Sequence, residues 1–270
     1  MSIGKIVRLN RLFAHPSGHL CSIAVDHFIG YQQGLPSGLR KIQDTLAAIV
    51  AAKPDAVTMH KGLATAAWAP YAGHIPLILQ SIIARPDDSA FEALALPEDA
   101  VRLGADAFAV AIFVRGSTEA AHLRLLADCV RQAAQFEMPV ICHTYPRDFS
   151  GIPKVSYMPE DIAWAVRCAV EAGADVVKVP YCGDVNAYSQ IVADCPVPMV
   201  AAGGPQAETL QDALQMIADV MRSGARGATI GRNVWGFSDI RAAVQAFKAV
   251  IHDGVLPQEA LRQSGILNLA

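Results

Sequence analysis

The chain has 270 residues, of which 53% are apolar and only 17% charged, with 22 basic against 25 acidic side chains. That length accommodates one large α/β domain or two small ones. A net charge of −3 lacks the basic excess that nucleic acid or an anionic membrane surface attracts, so neither is expected as a partner.

In chain order, short apolar runs of strand character alternate with longer segments of helical period. The first strand is expected at 20–26 (LCSIAVD), followed by a helix over 38–52. A second strand at 56–59 (AVTM) precedes a helix at 62–69, and a third at 76–79 (PLIL) precedes one at 97–103. The fourth, 107–114 (AFAVAIFV), leads into a helix at 118–136, and the fifth, 139–145 (PVICHTY), into 159–172. Strands at 175–180 (DVVKVP), 198–203 (PMVAAG) and 227–231 (GATIG) alternate with helices at 184–194, 206–222 and 238–251.

Several helix ends are marked. Pro159-Glu160-Asp161 places a proline and two acids in a first turn. Ser117 or Thr118, and Ser238-Asp239, have the side chains of N-caps. EAGADVVKV and RSGARGATIG each end a helix at glycine and hand over to a strand. Eight strand–helix alternations predict an α/β fold of the (β/α)8 TIM-barrel class. One domain is expected over 1–270, with short extensions at 1–15 and 254–270. An open doubly wound sheet is disfavoured, because no GxGxxG follows the first strand and polar residues mark many strand ends.

Six cysteines are scattered without CxxC spacing, as in a reduced cytoplasmic protein. MSIGKIVRLNRLF has no continuous apolar stretch of the signal-peptide type. No apolar run approaches the ~18 residues that span a bilayer. The expectation is a soluble cytoplasmic protein.

In a barrel, the residues following each strand line the active-site mouth. Those expected there are Asp26 and His27, His60 and Lys61, Gln80, Arg115, then His143, Tyr145 and Arg147. Lys178 with Tyr181, Gly203-Gly204 and Gly231-Arg232-Asn233 complete the ring. Lys178 is unusual, since a lysine within a short apolar strand must be paired, reach out to solvent or lose its proton. Alternation places Val176 and Pro180 on its inward face, with Val177 and Val179 toward the helices. An amine there can form a Schiff base with a ketone. Carbon–carbon chemistry beside an iminium also needs a proton shuttle, for which Tyr145 and Asp26 are the candidates. His143 shares the inward face of Tyr145, with a core role equally open.

AAGGP and TIGRN end adjacent strands, each before a helix start. Such loops offer main-chain N–H groups to a phosphate, and barrels of this kind recurrently bind one there. Gly203, Gly204, Gly231 and Arg232 are therefore the phosphate-binding candidates. His27, Lys61 and Arg147 join them as substrate-binding residues, and Lys154 adds basicity at the mouth. His15 and His19 flank a proline and a glycine rather than a helix face, so no metal site is expected.

The segments SIAVDHF, DAVTMHKG, TYPRD, DIAWAVRCAVEAGADVVKVPYCGD, MVAAGGP and GATIGRNVW carry a resemblance over nearly the whole chain. Taken together, they resemble the DeoC/LacD-like class I aldolases, specifically the archaeal-type class I fructose-bisphosphate aldolase branch. The resemblance implies a (β/α)8 barrel and a Schiff-base Lys178. It also implies Tyr145 as proton donor and acceptor with Asp26 assisting, a phosphorylated small-molecule substrate, no cofactor and a homo-oligomer. The branch includes a synthase making 2-amino-3,7-dideoxy-D-threo-hept-6-ulosonate and a thiolase acting on phosphorylated autoinducer-2. Two departures stand out. Phe28 and Asp148 occupy positions where relatives commonly have glycine, which would narrow the pocket and add a negative charge at the mouth. The expected function is a metal-independent class I aldolase acting on a phosphorylated ketose or related ketone. A thiolase or transaldolase with the same lysine is the alternative, and a non-catalytic phosphosugar-binding protein the remoter one.

Overall fold

A computed structural model describes residues 2–27 and 34–266; Phe28, singled out above, lies outside them. Eight parallel strands form its centre: β1 (Leu20–Ala24), β2 (Ala56–His60), β3 (Leu77–Gln80), β4 (Ala107–Val114), β5 (Val140–Asp148), β6 (Val176–Val179), β7 (Met199–Ala202) and β8 (Gly227–Ile230). Each pairs with its sequence neighbours, and β8 pairs with β1, so the sheet closes on itself. Helices fill the connections, giving the (β/α)8 barrel.

Period-2 alternation sorts each strand between two cores. Along β6, Val177 and Val179 join the large cluster between strands and helices. Val176 faces the barrel axis with Leu20, Ala56, Ile78, Ile141 and Val200. Both faces are buried, which is why these strands read as nearly continuous apolar runs.

The N-terminal segment closes the barrel's lower end. The helix Ile3–Leu12 buries Leu12 in the axial cluster, with Leu9 and Phe13 against it. Lys5 holds the helix in place through Asp175 at 2.8 Å, and the same carboxylate accepts the Val140 N–H. The amide of Gly4 donates to Glu137 at 2.7 Å. In sequence this helix shows only as part of the 1–15 extension, because its single buried leucine gives no helical period of its own.

Three further departures shape the mouth. Ile82–Ala84 and Phe91–Ala93 form an antiparallel hairpin beyond β3. The end of β5 pairs antiparallel with Lys154–Val155. Each strand of two or three residues is too short for periodicity to reveal. Thr118 precedes the helix Glu119–Ala134 without capping it through its side chain. Its hydroxyl donates instead to Asp88 at 2.7 Å. Asp239 does cap, accepting the Ala242 N–H at 2.9 Å.

Leu12 is fully buried among axial residues that cannot collapse inward without breaking strand pairing. Leu12→Ala should therefore lower unfolding free energy by about 2–4 kcal/mol. Urea denaturation followed by circular dichroism measures this, and a loss under about 0.5 kcal/mol would contradict the plug's role.

Candidate active site

Lys178 lies at the upper end of β6, only 4% exposed, with His143 of β5 and Val200 of β7 as register neighbours. Its pKa is lowered from 10.5 to about 8. Burial is the main cause; the Arg232 charge adds to it, while Asp26 opposes it. At pH 7 that leaves roughly one amine in ten neutral, against about one in three thousand at the ordinary value. The apolar strand thus enriches the nucleophilic form without fully deprotonating the lysine.

Beside Lys178, the buried Gln80 and His143 and the partly buried Asp26 form a chain of hydrogen bonds. The Gln80 carbonyl oxygen accepts the Ser81 N–H at 3.0 Å, which fixes the orientation of the amide. Its nitrogen then donates to Asp26 Oδ2 at 3.2 Å and to His143 Nδ1 at 3.0 Å. His143 therefore keeps its proton on Nε2. Burial and the Lys178 charge push its pKa well below the ordinary value, so the ring is neutral. Asp26 behaves oppositely. Burial would raise its pKa, but His27, with Nδ1 3.2 Å from Oδ1, and the Lys178 charge hold the carboxyl well below the usual range. His27 is itself kept neutral, chiefly by burial.

Lys178, His27 and Tyr145 are shared by two adjoining compartments. The outer one, roughly 440 Å³, is bordered by Gly203, Gly204, Gly231 and Arg232. The inner one, roughly 170 Å³, contains Asp26, Gln80 and His143 and is walled by Ile82, Ile83, Ala84 and Phe113. The structure thus brings Lys178, Tyr145, Asp26, His27, the glycine loops and Arg232 to one mouth.

The glycines have packing duties that the phosphate reading did not foresee. A Cβ on Gly231 would come within 2.2 Å of the His27 ring. The Gly203 N–H is already donated to Thr229 O at 2.9 Å. Gly204 has φ +72°, a conformation that favours glycine. Asn233, buried, fastens this loop by donating to Gly203 O and Pro205 O and accepting the Ala207 N–H. Trp235 donates to Ala24 O at 3.0 Å and meets the His27 ring edge-on. Arg232 donates to Gly204 O at 2.9 Å with its charge still directed at Lys178.

Two basic candidates do not reach the compartments around Lys178. Arg147 is wholly enclosed: its guanidinium binds Asp88 at 2.8 Å, Thr118 at 2.9 Å and the carbonyl of Arg115. It ties the segment around Asp88 to the rim instead of presenting charge to a ligand. Lys61 borders a neighbouring apolar cleft and pairs with Asp99 at 2.8 Å. Arg115 turns outward to Asp161. Asp148 is offset at 3.4 Å by Lys154, which borders the outer compartment, and accepts the Ser150 N–H. The roles of Gln80, Asn233 and Trp235 were missed, since a hydrogen bond between distant strands leaves no local pattern in sequence.

A family model described as DeoC/LacD family aldolase matches residues 21–236. The chain is 33% identical over 266 residues to 2-amino-3,7-dideoxy-D-threo-hept-6-ulosonate synthase of Halobacterium salinarum, covering 98% of this chain and 97% of that protein. It is 32% identical over 204 residues to fructose-bisphosphate aldolase class 1 of Thermoproteus tenax, covering 74% of this chain and 76% of that one. An archaeal fructose-1,6-bisphosphate aldolase, solved with its catalytic Lys covalently bound to the carbinolamine intermediate of the substrate, matches with a TM-score of 0.81 and 29% identity. That match covers 92% of this chain and 99% of the other. With the barrel closed and the family model spanning β1 to β8, the chain belongs to the DeoC/LacD family of aldolases, enzymes of the carbon–carbon lyase class.

Proposed function

We propose that Lys178 is the Schiff-base nucleophile of a class I aldolase whose substrate is a phosphorylated ketose or related ketone. The observation that carries this reading is a buried lysine, with its pKa lowered to about 8, at the junction of two compartments and beside an ionised Asp26. The neutral amine adds to the ketone carbonyl, and loss of water from the carbinolamine leaves an iminium. In cleavage, a base takes the proton of the hydroxyl on the carbon being released. The carbon–carbon bond breaks and its electron pair flows into the iminium, giving an enamine. Protonation and hydrolysis then free the second product and the lysine. Tyr145, facing both compartments, exchanges the hydroxyl proton in this reading, with Asp26 as its anionic partner. Arg232 and the Gly204 and Gly231 loops favour a phosphate in the outer compartment.

The same lysine serves a transfer in which the enamine attacks an acceptor carbonyl instead of a proton. The synthase from Halobacterium salinarum, similar over nearly the whole chain, supports keeping that second reading.

Reduction with borohydride in the presence of a ketose phosphate should leave a covalent adduct on the peptide containing Lys178. Lys178→Met should abolish both adduct and turnover; turnover that survives the substitution would overturn the assignment. The trapping rate should rise with pH through the region where Lys178 loses its proton and level off above about 8. A rate still climbing past pH 10 would indicate an ordinary lysine.

Self-association is also proposed for this chain. Ile152 and Met158, on the segment that follows β5, are 85% and 64% exposed, and Phe149 beside them is 51% exposed. Large apolar side chains exposed along one segment favour a partner surface. Sedimentation velocity should give at least twice the mass of one chain, and Ile152→Asp should shift it toward the single chain. A wild-type protein sedimenting as one chain would remove this proposal. No helix among the described residues is long and apolar enough to cross a membrane.

A further inference from the structure

Lys178 separates two compartments of unlike chemistry. The outer one carries the Arg232 charge and the glycine loops. The inner one is walled by the hairpin residues Ile82, Ile83 and Ala84 with Phe113 opposite. Its polar surface consists of Asp26, Gln80, Tyr145 and histidines. Among the described residues, no Lys or Arg other than Lys178 borders it. Arg147 is enclosed by Asp88, Thr118 and the Arg115 carbonyl, and Lys61 is paired with Asp99 in the neighbouring cleft.

A phosphate dianion placed in this compartment would lose hydration and gain no cation beyond Lys178, which the Schiff base engages, a cost of several kcal/mol per charge. The Asp26 carboxylate would repel it as well. Hydroxyl groups fit the site better. The Gln80 amide engages His143 Nδ1, leaving Nε2–H as the ring's remaining donor, and Tyr145 adds a phenol. The volume, roughly 170 Å³, is that of about five or six waters, comparable with a short hydroxyaldehyde.

Resting on the Schiff-base reading above, we propose that the inner compartment accepts an uncharged short hydroxyaldehyde, so that the substrate carries phosphate only on the arm facing Arg232. Ile82, Ile83 and Phe113 are then specificity-determining residues, and a doubly phosphorylated ketose is a poor substrate.

The test uses the full chain in the carbon–carbon bond-forming direction, with dihydroxyacetone phosphate as donor. D-glyceraldehyde and D-glyceraldehyde 3-phosphate are compared as acceptors by kcat/KM. The unphosphorylated acceptor should be favoured by about tenfold or more. Ile83→Arg, which adds a cation to the inner wall, should narrow that preference, with borohydride trapping of the donor on Lys178 confirming that the variant is intact. Equal use of the two acceptors, or preference for the phosphorylated one, overturns the proposal. If Lys61→Met then abolishes that preference, the phosphate lies in the neighbouring cleft. Trapping of the donor on Lys178 with neither acceptor consumed overturns the compartment's assignment while leaving the Schiff-base reading intact. Absence of any trapped donor overturns the Schiff-base reading itself.

Discussion

Everything at the mouth depends on removing one lysine from water while keeping one carboxylate beside it charged. Burial pulls Lys178 toward the neutral amine, and Asp26 pulls it back. The balance leaves an amine that is part neutral near pH 7, which neither effect alone would give. Asp26 remains ionised in the same buried setting because His27 approaches one of its oxygens and the Lys178 charge lies close by. The Gln80 amide donates to its other oxygen, a fixed dipole in place of water that burial removed.

That arrangement requires a rigid frame, and the barrel supplies it from both ends. Below, the helix Ile3–Leu12 seals the axis with Leu12, so the floor under Val176 and Lys178 stays dry. Above, Asn233 fastens the β7 loop to the segment after β8, and Trp235 ties that segment to the end of β1. Lys178 lies in β6, whereas Asp26 and Arg232 sit in the segments after β1 and β8, which these bonds hold against each other. A fully satisfied buried amide such as Asn233 tolerates little displacement of its partners.

Charge at the rim is deployed unequally. Arg232 borders the outer compartment beside Lys178 and donates to Gly204 O; Arg147, Arg115 and Lys61 pair with carboxylates outside the compartments around Lys178. A basic residue near a strand end can therefore face a ligand or hold a loop, and sequence position does not distinguish the two. Arg147 follows Tyr145 with the parity of an inward side chain, but where the strand pairs with Lys154–Val155, Asp88 captures the guanidinium.

The eight strands and the barrel were legible in sequence because burial on both faces enforces apolar runs whose lengths periodicity detects. Lys178 was legible for the same reason, as a charge where such a run tolerates none. Asp26 and Tyr145 followed from their places at strand ends. The amide link from Asp26 through Gln80 to His143, the plug under the axis and the hairpin that walls the inner compartment were decided only by the tertiary structure. The amide link and the plug depend on contacts between residues far apart in the chain, 54 positions for Asp26 and Gln80 and 170 for Lys5 and Asp175, whereas the hairpin pairs near neighbours such as Ala84 and Phe91 in strands too short to show a period. Local sequence determines which residues are buried and which way a strand's side chains alternate. Only closure of the barrel decides which of them meet.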